Sequence, residues 1–343
     1  MNKLTDWIKR HQVAAFFIIT FAITWGLGFS YGAVLKRGQF LLAPLVVVAT
    51  CGPALAGIIV TAVSSAEPRR GTRKPRWIAF VIAWVVSAVV FIARTTIMDR
   101  VELSPVFVVF AFVAVIPVAF VISAAYSRIP AIREYVSSLI RLRGLWGWSF
   151  LALTLGPVSV LISVPVSSIL GGQPIAIDRL PDVDLTLIGL VTLAFFYQLL
   201  FFNAVGEEVG WRGFALPRLQ ASASPMVAAL VIGLFWPPWH FFLVQAEGAP
   251  VFTLEYWVEM YISHILFSVI IVWICNRAKG SILVAGIAHA AVNTALAFIP
   301  IQDMQGTHLT WVVAALAMIL IDRMWQKLPP DHPAVYRSPE HAA

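Results

Sequence analysis

The chain has 343 residues, 60% of them hydrophobic and only 12% charged, and it carries a net charge of +7. A soluble domain is about 25% charged. Half that charge leaves too few polar groups to cover a water-facing surface, which excludes a soluble globular enzyme, a disordered chain and a disulfide-rich secreted module. The composition is that of a polytopic membrane protein, all-α, with room for about eight to ten transmembrane helices. Its basic residues are scattered over many loops, as expected of segments facing an anionic leaflet and not of a surface that binds nucleic acid.

In chain order, ten apolar runs read as spans, at about 13–35, 40–63, 77–93, 105–125, 145–170, 185–205, 224–243, 255–275, 281–300 and 308–325. The first follows Lys3, Lys9 and Arg10 as a signal peptide would. Its length and the lack of a small-x-small exit make it a retained anchor. Segment 128–143 is basic and partly apolar and is expected to lie along the interface. The sixth run is expected to continue as helix through the polar stretch that begins at Gly206. Cys51 and Cys275 both sit inside apolar runs, so neither a disulfide framework nor a CxxC metal site is expected. Residues 326–343, rich in proline and of mixed charge, read as a short mobile cytoplasmic tail. No internal repeat is visible.

Ten spans with the N-terminus inside put nineteen of the 24 Lys and Arg residues on the cytoplasmic side. That asymmetry predicts an integral plasma-membrane protein with both termini cytoplasmic.

A charge at mid-bilayer costs about 2.5–3.5 kcal/mol on insertion scales, so the polar residues inside spans are informative. They collect in spans six to nine: Asn203, Glu207, Glu208, Arg212, His240, His264, His289 and Asn293. On a helix Glu208 precedes Arg212 by four residues, the favourable order for an ion pair. Glu207 points about 100° away, one turn from Asn203 and Trp211, where the sequence supplies no opposite charge. A carboxylate set in an apolar wall suits general-base work. The bland alternative is that both carboxylates satisfy Arg212 and other buried donors.

Pro237 and Pro238 should break the seventh span just before His240, and broken helices at membrane depth line cavities. His289 and Asn293 share a face one turn apart with small residues between. That pattern serves a site or a hydrogen-bonded packing contact equally. His264 reads as structural, and Glu255 and Glu259 as a solvated helix start. Neither HExxH nor GxSxG is present.

Two chemistries fit this inventory. Glu207 and His240 could activate a water while His289 and Asn293 donate to the oxyanion. Alternatively His240, His289 and Glu207 could ligate a zinc ion with an open water position.

These residues form three motifs in order: Glu207-Glu208-Val-Gly-Trp-Arg212, Trp236-Pro-Pro-Trp-His240 and His289-Ala-Ala-Val-Asn293. Together they resemble the CPBP family of CAAX proteases and bacteriocin-processing intramembrane proteases, over about residues 185–300. Trp236 stands where that family more often has Phe. The resemblance implies a helical intramembrane endopeptidase domain over 145–325, preceded by motif-free transmembrane helices over 1–144.

It also implies roles: Glu207 as the water-activating base with His240 assisting, Glu208 and Arg212 as a supporting pair, and His289 and Asn293 as oxyanion stabilisers. The family is often labelled metalloprotease. Eukaryotic members cut prenylated CAAX tails, so the implied substrate is a membrane protein or a lipidated or hydrophobic peptide. Two rivals stand beside this reading: a non-catalytic immunity or scaffold protein of the same fold, and a transporter using the buried groups as a proton relay. The absence of repeat halves weighs against the transporter.

Overall fold

The computed structural model describes residues 3–28, 43–171, 183–242, 251, 253–299, 301 and 304–337. Among these there is no strand, and each of the ten apolar runs is largely helical where it is described. The helices are α1 (Lys3–Arg10), α2 (Gln12–Gly28), α3 (Ala43–Thr50), α4 (Gly52–Ser64), α5 (Lys74–Ile97), α6 (Pro105–Tyr126) and α7 (Pro130–Val136). They continue as α8 (Trp146–Ile169), α9 (Leu185–Gln220), α10 (Pro225–Trp239), α11 (Leu254–Arg277), α12 (Ile282–Phe298) and α13 (Gln305–Ile321).

Their starts follow local chemistry. Proline opens α4, α5, α6 and α7 in the first turn, where a missing N–H is harmless. Ser104, Thr253 and Ser281 accept the backbone N–H of Phe107, Tyr256 and Val284, capping α6, α11 and α12. Glu255 and Glu259 are exposed at the start of α11, the solvated helix start expected of them.

The fold is that of a polytopic membrane protein. Among the described residues five helices are long and apolar enough to cross a bilayer: α5, α6, α8, α9 and α11. A sixth span arises if α1 and α2 count as one, although they meet at 110°. Helices α4, α10, α12 and α13 are equally apolar but have only 10–17 residues. Hydropathy counts apolar residues, whereas the fold divides some runs: the second becomes α3 and α4, with Pro53 in the first turn of α4.

Contacts divide the chain into two units. The first comprises Met1–Arg141, Leu199–Ala215 and Trp239–Ala249. In it α2 packs along α3 and α4, while α5 pairs with α6, the Trp84 indole N–H donating to the Phe112 carbonyl at 2.6 Å. The basic segment after α6 forms α7, which buries Ile132 and Val136 and packs on α4.

The second unit comprises Leu142–Gln198, Leu216–Pro238 and Pro250–Ala343. Helix α8 is its centre and packs on α12 and α13. Val292 fills the space over Gly156, where an added Cβ would meet it at 2.4 Å.

The closing segment is not the mobile tail expected from its composition, at least as far as Arg337. Tyr336 N–H donates to the Pro217 carbonyl at 3.0 Å, Gln220 donates to the Ala334 carbonyl at 2.8 Å, and Arg218 lies over the Tyr336 ring. These bonds seat the segment against the C-terminal end of α9. Residues 338–343 lie outside the described residues.

Candidate active site

Helix α9 does continue through Gly206, but not as a regular α-helix. It widens into a π turn at Asn203–Glu208 and again at Trp211–Ala215. The Glu207 N–H bonds the Phe202 carbonyl, five residues back, at 2.9 Å. Insertions of this kind occur frequently at functional sites.

Two glycines let other backbone press against this stretch. A Cβ at Gly206 would lie 2.9 Å from the Thr50 carbonyl oxygen, and one at Gly210 would lie 2.4 Å from the Pro53 carbonyl carbon. Only Gly tolerates such approach.

The carboxylates are deeply buried: Glu207 is 3% exposed and Glu208 fully enclosed. Arg212, also enclosed, donates from Nη1 to Glu208 Oε1 at 3.0 Å, the pair anticipated from the spacing. Around it the first unit builds an aromatic wall. Trp211 meets Phe16 and Trp239 edge-on, and Phe16 stacks on Phe214. The Trp239 indole donates to Thr24 Oγ1 at 2.8 Å, and the Thr24 hydroxyl donates to the Ala49 carbonyl at 2.8 Å.

Asn203 was noted in the sequence only as polar. It is fully buried, and neither its amide oxygen nor its nitrogen meets a hydrogen-bond partner among the described residues. Its spacing of four from Glu207 is the sequence signal that could have promoted it.

Helix α10 carries Pro237 and Pro238 in its last turn and ends at Trp239, immediately before His240, as the double proline required. His240 is half-buried, its ring 4.6 Å from that of Trp239. It belongs with Glu207, Glu208 and Arg212 to the first unit.

His289 and Asn293 belong to the second, on α12. His289 is 4% exposed and is held edge-on by Trp236 at 5.1 Å and Phe267 at 5.3 Å. Phe267 stacks in turn on Trp311, whose indole donates to Ser159. Asn293 is half-buried one turn further on. His264 is the structural residue expected: its Nδ1 lies 2.7 Å from the Met260 carbonyl and its ring packs on Trp236.

Among the described residues no three His, Cys, Asp or Glu side chains gather into a set that could hold a metal ion. A zinc site needs three protein ligands and an open position. The arrangement does not meet that requirement, and no step below is routed through a metal.

Residues 189–295 match the family model for type II CAAX prenyl endopeptidases, Rce1-like. All three motifs lie inside that match. Over this segment the chain is similar to the CAAX prenyl endopeptidases that this family model describes. A curated relative, CAAX prenyl protease 2 of Methanococcus maripaludis, is 29% identical over 180 residues. The alignment covers 48% of this chain and 61% of that protein, so the chain spans about three fifths of its relative's length. Within the matched segment, Glu207 lies on the first π turn, next in sequence to the enclosed Glu208–Arg212 pair.

Proposed function

We propose that the protein is an intramembrane endopeptidase that hydrolyses a peptide bond of a membrane-associated or lipidated substrate, with Glu207 as the base. The observation that carries this reading is Glu207 itself: a second buried carboxylate beside a compensated Glu208–Arg212 pair, on a π turn within the segment matching the CAAX endopeptidase model.

Glu207 takes a proton from water as the water oxygen bonds to the scissile carbonyl carbon. The carbonyl electrons move to oxygen, and N–H donors stabilise that oxyanion. Collapse breaks the C–N bond, and the proton held by Glu207, or relayed by His240, passes to the departing amine. The aromatic walls limit water around the carboxylate, which strengthens these interactions.

The relative's name supports a prenylated CAAX peptide as the first substrate to try. The charge asymmetry supports cytoplasmic termini in a plasma membrane.

The test is cleavage of a fluorogenic farnesylated CAAX peptide, and of an unprenylated membrane peptide, by protein in liposomes. Glu207→Gln is expected to lower turnover by about 10²–10⁴-fold, the usual worth of a positioned base, without lowering the unfolding temperature. Turnover unchanged in that variant sinks the assignment. Turnover abolished by a chelator and restored by zinc overturns the metal-free mechanism.

A further inference from the structure

The strongest feature outside the motif residues lies in the first unit, at one end of the α5–α6 hairpin. There a cavity of about 420 Å³ opens among Arg69, Arg73, Arg76 and Arg128, with Trp77 and Phe120 on its apolar side. Its volume is in the range of ligand sites.

Four positive charges share this cavity, and no carboxylate lines it. Among the described residues none of the four arginines makes an ion pair, since the neighbouring Glu67 is taken by Arg70. The Nε of Arg128 is buried without a hydrogen-bond partner. The cluster is built, not incidental. The Arg70 N–H donates to the Arg128 carbonyl at 2.8 Å, which ties the two basic segments together, and the Arg76 guanidinium sits over the Phe120 ring. Gathering like charges costs energy unless an anion compensates them.

The surroundings indicate which anion. Trp77, next to Arg76, is 62% exposed, the position of an interfacial tryptophan at headgroup depth. Beyond it along the hairpin, Ile78, Val81, Ile82, Val85 and Val89 of α5 are exposed, as are Val109, Val113 and Ile116 of α6. An apolar exposed face that begins where a basic cavity ends is complementary to one kind of molecule, with an anionic head and hydrocarbon tails.

We propose that this cavity is a binding site for the phosphate of an anionic phospholipid, whose acyl chains lie along the exposed face of α5 and α6. The site is independent of Glu207 and of the proposed peptidase chemistry. It ties the basic end of the hairpin to one membrane surface.

The test is native mass spectrometry of the full-length protein in detergent, titrated with phosphatidylglycerol, with phosphatidylcholine and with glycerol phosphate alone. Phosphatidylglycerol is expected to bind preferentially, and Arg73→Gln with Arg128→Gln to weaken it about thirtyfold, from ~1 kcal/mol per basic residue at a membrane surface. The charge-matched pair Arg141→Gln with Arg143→Gln should leave it unchanged. If the Arg73/Arg128 pair does not fold, Arg73→Gln alone, at an exposed position, should still weaken binding about fivefold. Equal binding of the two lipids, or equal loss in the Arg141/Arg143 control, overturns the proposal. Competition by glycerol phosphate as strong as by the lipid assigns the cavity to free phosphate esters and overturns it as well.

Discussion

Glu208 and Arg212 lie side by side at zero exposure, each compensating the other's charge. Removing one partner of a buried pair leaves a charge in an apolar setting and typically costs about 3–5 kcal/mol, whereas replacing both with apolar groups of similar volume is often close to neutral. Arg212→Ala is therefore expected to lower the unfolding temperature in detergent sharply, and Glu208→Leu with Arg212→Met much less. A single substitution as mild as the double would show that the pair is not compensating as described. This contact was legible from the Glu-x-x-x-Arg spacing because i,i+4 neighbours meet in any helix. The five-residue turn at Glu207 was not. A π insertion depends on what packs against the helix, here the Thr50 carbonyl and Pro53, which lie some 150 residues away in sequence.

At the scale of elements, the close approach of α9 to α4 rests on Gly210. An added methyl would sit 2.4 Å from the Pro53 carbonyl carbon, and backbone cannot swing aside as a side-chain tip can. Gly210→Ala is expected to cost at least the ~1–3 kcal/mol of ordinary overpacking. Gly26, inside α2, has nothing within 4 Å of its would-be Cβ, and Gly26→Ala should stabilise by about 0.5–1 kcal/mol. Unfolding midpoints of the two variants should therefore move in opposite directions; movement in the same direction would contradict the packing described.

The existence of the helices was legible from hydropathy, and the end of α10 from its double proline. Helix lengths were not. At 1.5 Å per residue, the 13 residues of α4 reach only about 20 Å, short of the ~30 Å hydrocarbon core. Nothing in an apolar run states where neighbouring helices will divide it.

Over the whole molecule, contacts tie together segments remote in sequence. Residues 334–336 seat on the end of α9 at Pro217 and Gln220, and the left-handed turn at Gly280 (φ +76°) lies against the same segment, since a Cβ there would lie 3.2 Å from the Pro333 carbonyl. His332 Nδ1 accepts the Ala334 N–H at 3.1 Å, which it can do only while unprotonated. Burial pushes its pKa below 6.5, against the opposing pull of Asp331. The neutral form is thus favoured in the folded segment, so its contribution is present above about pH 6.5 and lost as pH falls below it. Hydrogen exchange over residues 330–337 is expected to quicken between pH 7 and 5, after correction for intrinsic rates, and His332→Gln should flatten that dependence. A wild-type profile as flat as the variant's would refute it.

The sequence by itself determined the membrane class, the positions of the helices and the three motifs, because hydropathy and rare intramembrane charges are properties of composition and short spacing. Only the tertiary structure decided the π register under Glu207, the seating of Ala334 and Tyr336 on α9, and the meeting of Arg69, Arg73 and Arg76 with Arg128. Each of these depends on chain segments that local pattern does not relate and that packing alone brings together.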